Sequence, residues 1–258
     1  MKKISLKKLL EAEYHYYNQN ESFALADPLV VLREHKDEEA FSEIALICAL
    51  FAYGNANQIV KFLYQLDFSL LKSDQEKILQ SHFPYYRFQS QDDVKQIFSI
   101  MAKILQEGGI KKSALQGYRK GNDFPKIIHL INACIQRIYF YMTDYNSFGV
   151  SHFFQKPVQN IDQHSALKRY NLFLRWMVRQ DRIDFGVWKE INTRDLILPL
   201  DTHTFRVCQG LKLIESKVAN LKTALLVTEK LKKFDPNDPV KYDFSLYRIG
   251  QSQRKIIK

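Results

Sequence analysis

Apolar residues along this chain recur at three- and four-residue spacing, and clear two-residue alternation is missing, which is the pattern of helices rather than strands. Ile127, Ile128, Leu130, Ile131, Ile135, Ile138 and Tyr139 mark one face of a long helix predicted over residues 124–145. The run IALICALFAY belongs to a helix over 36–53 and is apolar nearly all round, as suits the centre of a core. Acidic residues at its start, Asp37, Glu38 and Glu39, complement the helix dipole. Shorter helices are predicted over 5–18, from Asp27-Pro28 toward Arg33, from the turn after Gly54 toward Leu70, and over 92–106, where Gly108-Gly109 stops the pattern. Later helices are expected over 165–180 and 202–209, from Asn220 to Phe234, where DPNDP breaks the chain, and over 240–250. With nine glycines, seven prolines and no internal repeat in 258 residues, the expected fold class is all-α, a single unit over 1–258.

The stretch LILPLDTHTFRVCQGLKL, residues 196–213, organises the rest. Asp201 stands directly before a helical pattern, where its carboxylate can accept from the free N–H groups of the first turn. Gly210 is expected to close that helix as the residue just past its end. The same geometry holds a carboxylate at the positive end of the helix dipole and fixes its direction. An ordinary helix cap and a functional carboxylate are both consistent with these residues.

PLDTHTFRV is similar to the V-D-T-H-x-x-R-V segment of endonuclease III-like DNA glycosylases of the helix-hairpin-helix superfamily. Over nearly the whole chain, the blocks DPLVVLREH, FAYGNANQIVKFL, FPYYRFQS, SALKRYNLFLRWMVR, PLDTHTFRV and DPNDPVKYDFSLYRIG resemble an uncharacterised bacterial family, a domain of unknown function distantly related to those glycosylases. The resemblance implies a two-lobed helical fold with a cleft between the lobes. It makes Asp201 the catalytic carboxylate, with His203 and Arg206 on the DNA-facing side of the motif. It also implies that Asn55, at the joint after Gly54, enters the gap left by a flipped base; a plain turn asparagine is the alternative. The G-x-G-x-K hairpin that carries the nucleophilic lysine in endonuclease III-like enzymes is missing, so the hairpin is modified or absent. Archaeal 8-oxoguanine glycosylases of the superfamily also combine a modified hairpin with a more distant lysine. Lys168, 33 residues before Asp201, is the candidate here.

Lys168 opens SALKRYNLFLRWMVRQ. On a helical wheel Arg175 and Arg179 fall within about 20° of it and Asn171 about 60° away, with Ala166, Tyr170, Phe173 and Met177 opposite. The expectation is a packed face and a line of solvent-facing cations. Those cations would attract phosphates and, by flanking Lys168, favour its neutral, nucleophilic form. A solvated basic face without a ligand is the alternative. SHFPYYRFQS, residues 81–90, sets Arg87 among aromatics; such a loop stacks bases or contacts phosphates, or plugs two packed helices.

The net charge of +10 fits a polyanionic partner, and the excess is uneven: residues 211–258 hold eleven Lys and Arg against five Asp and Glu. DNA is the expected partner. The three widely spaced cysteines, Cys48, Cys134 and Cys208, supply no zinc or iron–sulfur ligand set, so neither a metal nor a cofactor is expected. No run approaches a membrane span, and MKKISLKKLLEAE has no apolar signal core, so a cytoplasmic monomer is expected. The resemblance implies a base-excision glycosylase with a lyase step, oxidised purine being the first lesion to consider. The alternatives are a non-catalytic nucleic-acid-binding protein of the same fold and an enzyme that uses Asp201 as a base on another nucleotide substrate.

Overall fold

The computed structural model describes residues 5–19, 27–121, 123–142 and 145–256, with side chains through Gly250. Among these residues the structure is all-α, and the few β-bridges are isolated. Helix α1 spans Leu6–Gln19. It is followed by α2 (Leu29–Glu34), α3 (Phe41–Leu50), α4 (Ala56–Leu63), α5 (Gln75–Gln80), α6 (Gln91–Gln106), α7 (Gly109–Tyr118), α8 (Lys126–Tyr141) and α9 (Phe148–Phe154). The chain closes with α10 (Lys168–Val178), α11 (Thr202–Gly210), α12 (Leu221–Lys232) and α13 (Asp243–Ile256). The chain forms two compact units, Ala24–Val158 and Met1–Phe23 with Gln159–Lys258.

In the unit Ala24–Val158, α3 is buried at every position but Ser42, as its all-round apolar sequence requires. Helices α7 and α8 pack against each other along their length. Gly117 makes that approach possible, because a β-carbon there would lie 2.5 Å from the His129 carbonyl oxygen and 2.6 Å from Ala133 Cβ. Helix α7 is absent from the elements that the sequence pattern predicts. Gly108 and Gly109 adopt φ of +99° and +80°, so they end α6 and turn the chain directly into a new helix. Glu43 of α3 holds the start of that helix, its Oε1 accepting from Ile110 N at 2.7 Å.

In the unit of the chain ends, α10 is the central element, with ten of its eleven residues buried. Its last carbonyls are met by the returning chain: Phe185 N and Gly186 N donate to Trp176 O, and Trp188 N donates to Met177 O. Trp188 then packs edge-on against Phe173, ring centroids 5.2 Å apart. Helix α1 packs on α13 and on the 3-10 turn Pro239–Tyr242. Polar contacts fix that packing: Tyr242 OH donates to Glu11, and Lys241 Nζ reaches Glu11 at 3.1 Å and Asp235 at 2.8 Å. Gly210 is the last residue of α11 rather than the residue past it; the left-handed conformation falls on Lys212, φ +57°.

Burial pushes the Glu43 carboxyl up to about 6, against the backbone hydrogen bond from Ile110. A carboxyl raised in the fold supplies stability that is present below its ordinary value of about 4.5 and lost as pH rises through 6. Glu43→Gln keeps the acceptor and cannot ionise. Wild type should therefore lose about 2 kcal/mol relative to Glu43→Gln between pH 4 and 7. Urea unfolding of both proteins across this range measures it, and a pH-independent difference would contradict the assignment.

Candidate functional site

The buried run Leu196–Leu200 delivers the chain to Asp201, and Leu198 N is tied down by Thr228 Oγ1 of α12 at 3.0 Å. Asp201 is the N-cap of α11. Its Oδ1 accepts from His203 N at 2.9 Å and Thr204 N at 2.8 Å, and Oδ2 makes no hydrogen bond to a described residue. The cap is the device that aims the remaining oxygen. Along α11, the His203 side chain is half-buried and Arg206 is exposed.

Lys168 is the first residue of α10 and is half-buried. The preceding Leu167 is buried in the left-handed region, φ +52° and ψ +33°, a backbone state costing about 1 kcal/mol for a side chain of this size. The entry to α10 is pinned from α12: Leu221 N donates to His164 O at 3.0 Å, and Asn220 Nδ2 donates to Asp162 O at 2.8 Å. Asn171 is buried on the Lys168 face; its Nδ2 donates to Ala166 O at 3.0 Å and its Oδ1 is unpartnered among the described residues.

The rest of that helix face differs from the expected line of solvent-facing cations. Arg175 and Arg179 are 4% and 3% exposed and are consumed by carboxylates. Arg175 donates Nε to Asp184 Oδ1 at 3.1 Å and Nη1 to Asp243 Oδ2. Arg179 donates Nη1 to Asp184 Oδ2, Nη2 to Asp181 Oδ2 at 3.0 Å, and Nε to Asp238 Oδ1 at 2.8 Å. Asp181 Oδ1 accepts from Ile183 N and Asp184 N, both at 2.8 Å, closing the turn that presents these carboxylates. Desolvation alone would lower the basicity of Arg179, but Asp184, Asp238 and Asp181 hold it well above its ordinary value. Burial raises Asp184 to about 6 against the pull of Arg175 and Arg179. Neither arginine is placed to hold a DNA phosphate or to depress Lys168, because both charges are neutralised inside the unit.

Asp243, a residue of the helix expected over 240–250 to which sequence reasoning gave no role, is bonded to Arg175. It begins α13, is 6% exposed, and lies within electrostatic reach of Lys168 and Asp201. Burial raises its carboxyl, Arg175 and Lys168 oppose that rise, and Asp201 adds to it. Lys168, Asp201 and Asp243 thus stand at the starts of α10, α11 and α13, and Asp243 is bonded to Arg175. The Cys208 thiol is pushed up to about 12, by burial first and then by Asp243 and Asp201. Among the described residues, no group of three or more His, Cys, Asp and Glu is arranged to hold a metal, and no helix is long and apolar enough to cross a membrane.

In the unit Ala24–Val158, Asn55 is the N-cap of α4, its Oδ1 accepting from Asn57 N at 3.0 Å and Gln58 N at 3.3 Å. Arg87 lies beside the neighbouring Gly54, whose missing β-carbon would sit 2.7 Å from Arg87 Nη1. Its guanidinium carbon is 5.7 Å from the ring centroids of both Tyr53 and Phe88. The aromatic loop serves two purposes: Phe83 and Tyr86 are buried plugs, while Tyr85, Arg87 and Phe88 face solvent.

An all-α chain with a capped carboxylate, a lysine and a second carboxylate at three helix N-termini is the class that these observations define. The chain belongs to the family described as protein of unknown function (DUF2400), whose model matches residues 27–252. No curated protein and no solved structure matches it.

Arg179 tests the buried network directly. Arg179→Lys keeps the charge but cannot span Asp181, Asp184 and Asp238 at once. It should lower the unfolding free energy in urea by about 3 kcal/mol or more. A loss within about 0.5 kcal/mol would return Arg179 to the surface.

Proposed function

We propose that this protein is a DNA base-excision glycosylase with an associated lyase step, acting on a damaged base, an oxidised purine first. The observation that carries the reading is the Asp201 carboxylate at the head of α11, its Oδ1 held by His203 N and Thr204 N, in the unit where Lys168 opens α10. Charge supports it. The unit containing these residues holds 23 Lys and Arg against 14 Asp and Glu, while Ala24–Val158 holds 15 against 14, so nearly all the basic excess lies on the unit that bears the candidate chemistry. The resemblance of PLDTHTFRV to the glycosylase segment points the same way.

Cleavage of the glycosidic bond sends its electron pair out on the base and leaves positive charge on the deoxyribose. The free Oδ2 of Asp201, aimed by the cap, stabilises that charge. The Lys168 amine then bonds to C1′ through its lone pair. The C1′–O4′ bond breaks with its pair on oxygen, which takes a proton, and an iminium remains. Borohydride reduces that iminium to a stable amine, which makes the intermediate countable.

A competing reading, a nucleic-acid-binding protein without catalysis, is favoured by the basic excess alone. A panel of duplexes with single modified bases separates the two. Asp201→Asn keeps the cap and loses the charge, so base release should slow by about 100-fold or more while DNA binding persists. Lys168→Gln should abolish the borohydride-trapped complex. Full trapping by Lys168→Gln would move the nucleophile elsewhere, and wild-type protein that releases no base from any duplex would leave the binding reading in place.

Binding itself has a separate signature. Duplex affinity should fall at least about tenfold between roughly 50 and 200 mM salt, as phosphate contacts release counterions. Fluorescence anisotropy measures it, and a salt-independent affinity would remove DNA as the partner.

A further inference from the structure

We propose that the tip of the turn at 86–89 and the head of α9 form a stacking platform for unpaired bases of single-stranded DNA, with Arg87 on the adjacent phosphate. The choice of DNA rests on the reading above; the stacking site does not, and it uses neither Asp201 nor Lys168. All its residues lie in the unit Ala24–Val158. Tyr86 and Gln89 exchange both backbone hydrogen bonds at 2.9 Å, so Arg87 and Phe88 stand at the tip of a two-residue turn. Phe88 is 47% exposed, and Phe148, the first residue of α9, is 72% exposed. Their ring centroids lie 5.9 Å apart, and His152, one turn along α9, lies 4.9 Å from Phe88 and 5.7 Å from Phe148. The Tyr53 ring is parallel to Phe88 within 7°, centroids 6.2 Å apart, and the Arg87 guanidinium lies at the edge of both.

These rings face water on a buried polar frame that fixes them. Gln89, 1% exposed, accepts from Tyr53 OH and donates Nε2 to Gly149 O at 2.8 Å. A β-carbon at Gly149 would lie 2.6 Å from Phe88 O, so the turn is seated directly on the start of α9. Asp93 is buried beneath and accepts from Ser90 N at 2.8 Å, Tyr145 OH at 2.9 Å and Ser147 Oγ. Arg87 holds a left-handed backbone, φ +51°, a strained state that persists only where its surroundings fix it. The exposed large hydrophobics of residues 81–90 and 147–154 are Tyr85, Phe88 and Phe148, all aromatic. Every base has a π-face, so such rings stack bases without reading sequence, and an arginine beside them meets the phosphate. The chain's net charge of +10 is complementary to a polyanion and opposes a second copy at this face. Within Ala24–Val158 the charges nearly balance, 15 Lys and Arg against 14 Asp and Glu, so the hold here comes from stacking more than from charge.

Fluorescence anisotropy with labelled oligothymidylate tests the platform against an abasic strand of the same length, which keeps the phosphates and lacks the bases. Wild type should bind the base-bearing strand about tenfold or more tighter than the abasic one. Phe88→Ala should weaken binding of the base-bearing strand about tenfold, by the same factor at low and moderate salt, and leave the abasic strand and a fully paired duplex unchanged. Phe148→Ala should act in the same direction, and Arg87→Ala should weaken both strands and flatten the salt dependence. Equal binding of the two strands, an unchanged affinity in Phe88→Ala, or an equal loss on the duplex overturns the proposal. Tighter binding of the matching RNA overturns the assignment to DNA. Self-association of wild type that Phe88→Ala abolishes, measured by analytical ultracentrifugation, gives the face to a second copy and overturns the proposal too. If Phe88→Ala fails to fold, Phe88→Trp decides. Trp176 and Trp188 are buried, so the added indole reports the platform, and its emission should be quenched by the base-bearing strand and not by the abasic one. Absence of that quenching overturns the proposal. A wild type that releases no base from any duplex defeats the glycosylase reading alone, and the strand measurements then still decide the platform.

Discussion

Two guanidinium groups lie inside the unit formed by the chain ends, and neither tolerates burial without carboxylates around it. Arg175 and Arg179 bring their donors to Asp181, Asp184, Asp238 and Asp243, which come from the turn after α10, the DPNDP break and the start of α13. Removing one partner from such a set strands a buried charge, at roughly 3–5 kcal/mol. The network therefore fixes where the last third of the chain stands relative to α10. Tyr14 OH donates to Asp181 at 3.4 Å, so the first helix is tied to the same centre.

The placement of the candidate site follows from that clamp. Arg175 holds Asp243 at the head of α13, and α13 in turn packs on α11, whose cap is Asp201. Lys168 enters from the other end of the Arg175 stripe. Each charged group stands at the start of its own helix, so small changes in helix packing translate directly into changes of distance among the three. A site built this way is rigid because its supports are buried. Lys168, Asp201 and His203 are partly open to solvent, and Arg206 is exposed.

The helical class, the core helix α3, the apolar face of α8 and the caps at Asp201 and Asn220 were legible in the sequence, because each is written in residues close together along the chain. The paired glycines at 108–109 read in sequence as a plain stop, and the structure shows more than that. Left-handed glycines end a helix, but whether another starts at once depends on a partner for its first N–H groups, and that partner, Glu43, is 67 residues away from Ile110.

The sequence alone placed Lys168, Arg175 and Arg179 on one helical stripe and Asp201 at a helix start, since periodicity and capping are local properties. Only the tertiary structure decided what those charges face. The arginines look inward to four aspartates because the turn at 181–184 and the segment 235–243 fold back over them, and a wheel drawn for one helix carries no record of what covers it. Asp243 is the same lesson in reverse. In the sequence it is one residue of the helix expected over 240–250, and it becomes the partner of Arg175 through a contact that spans 68 residues of chain.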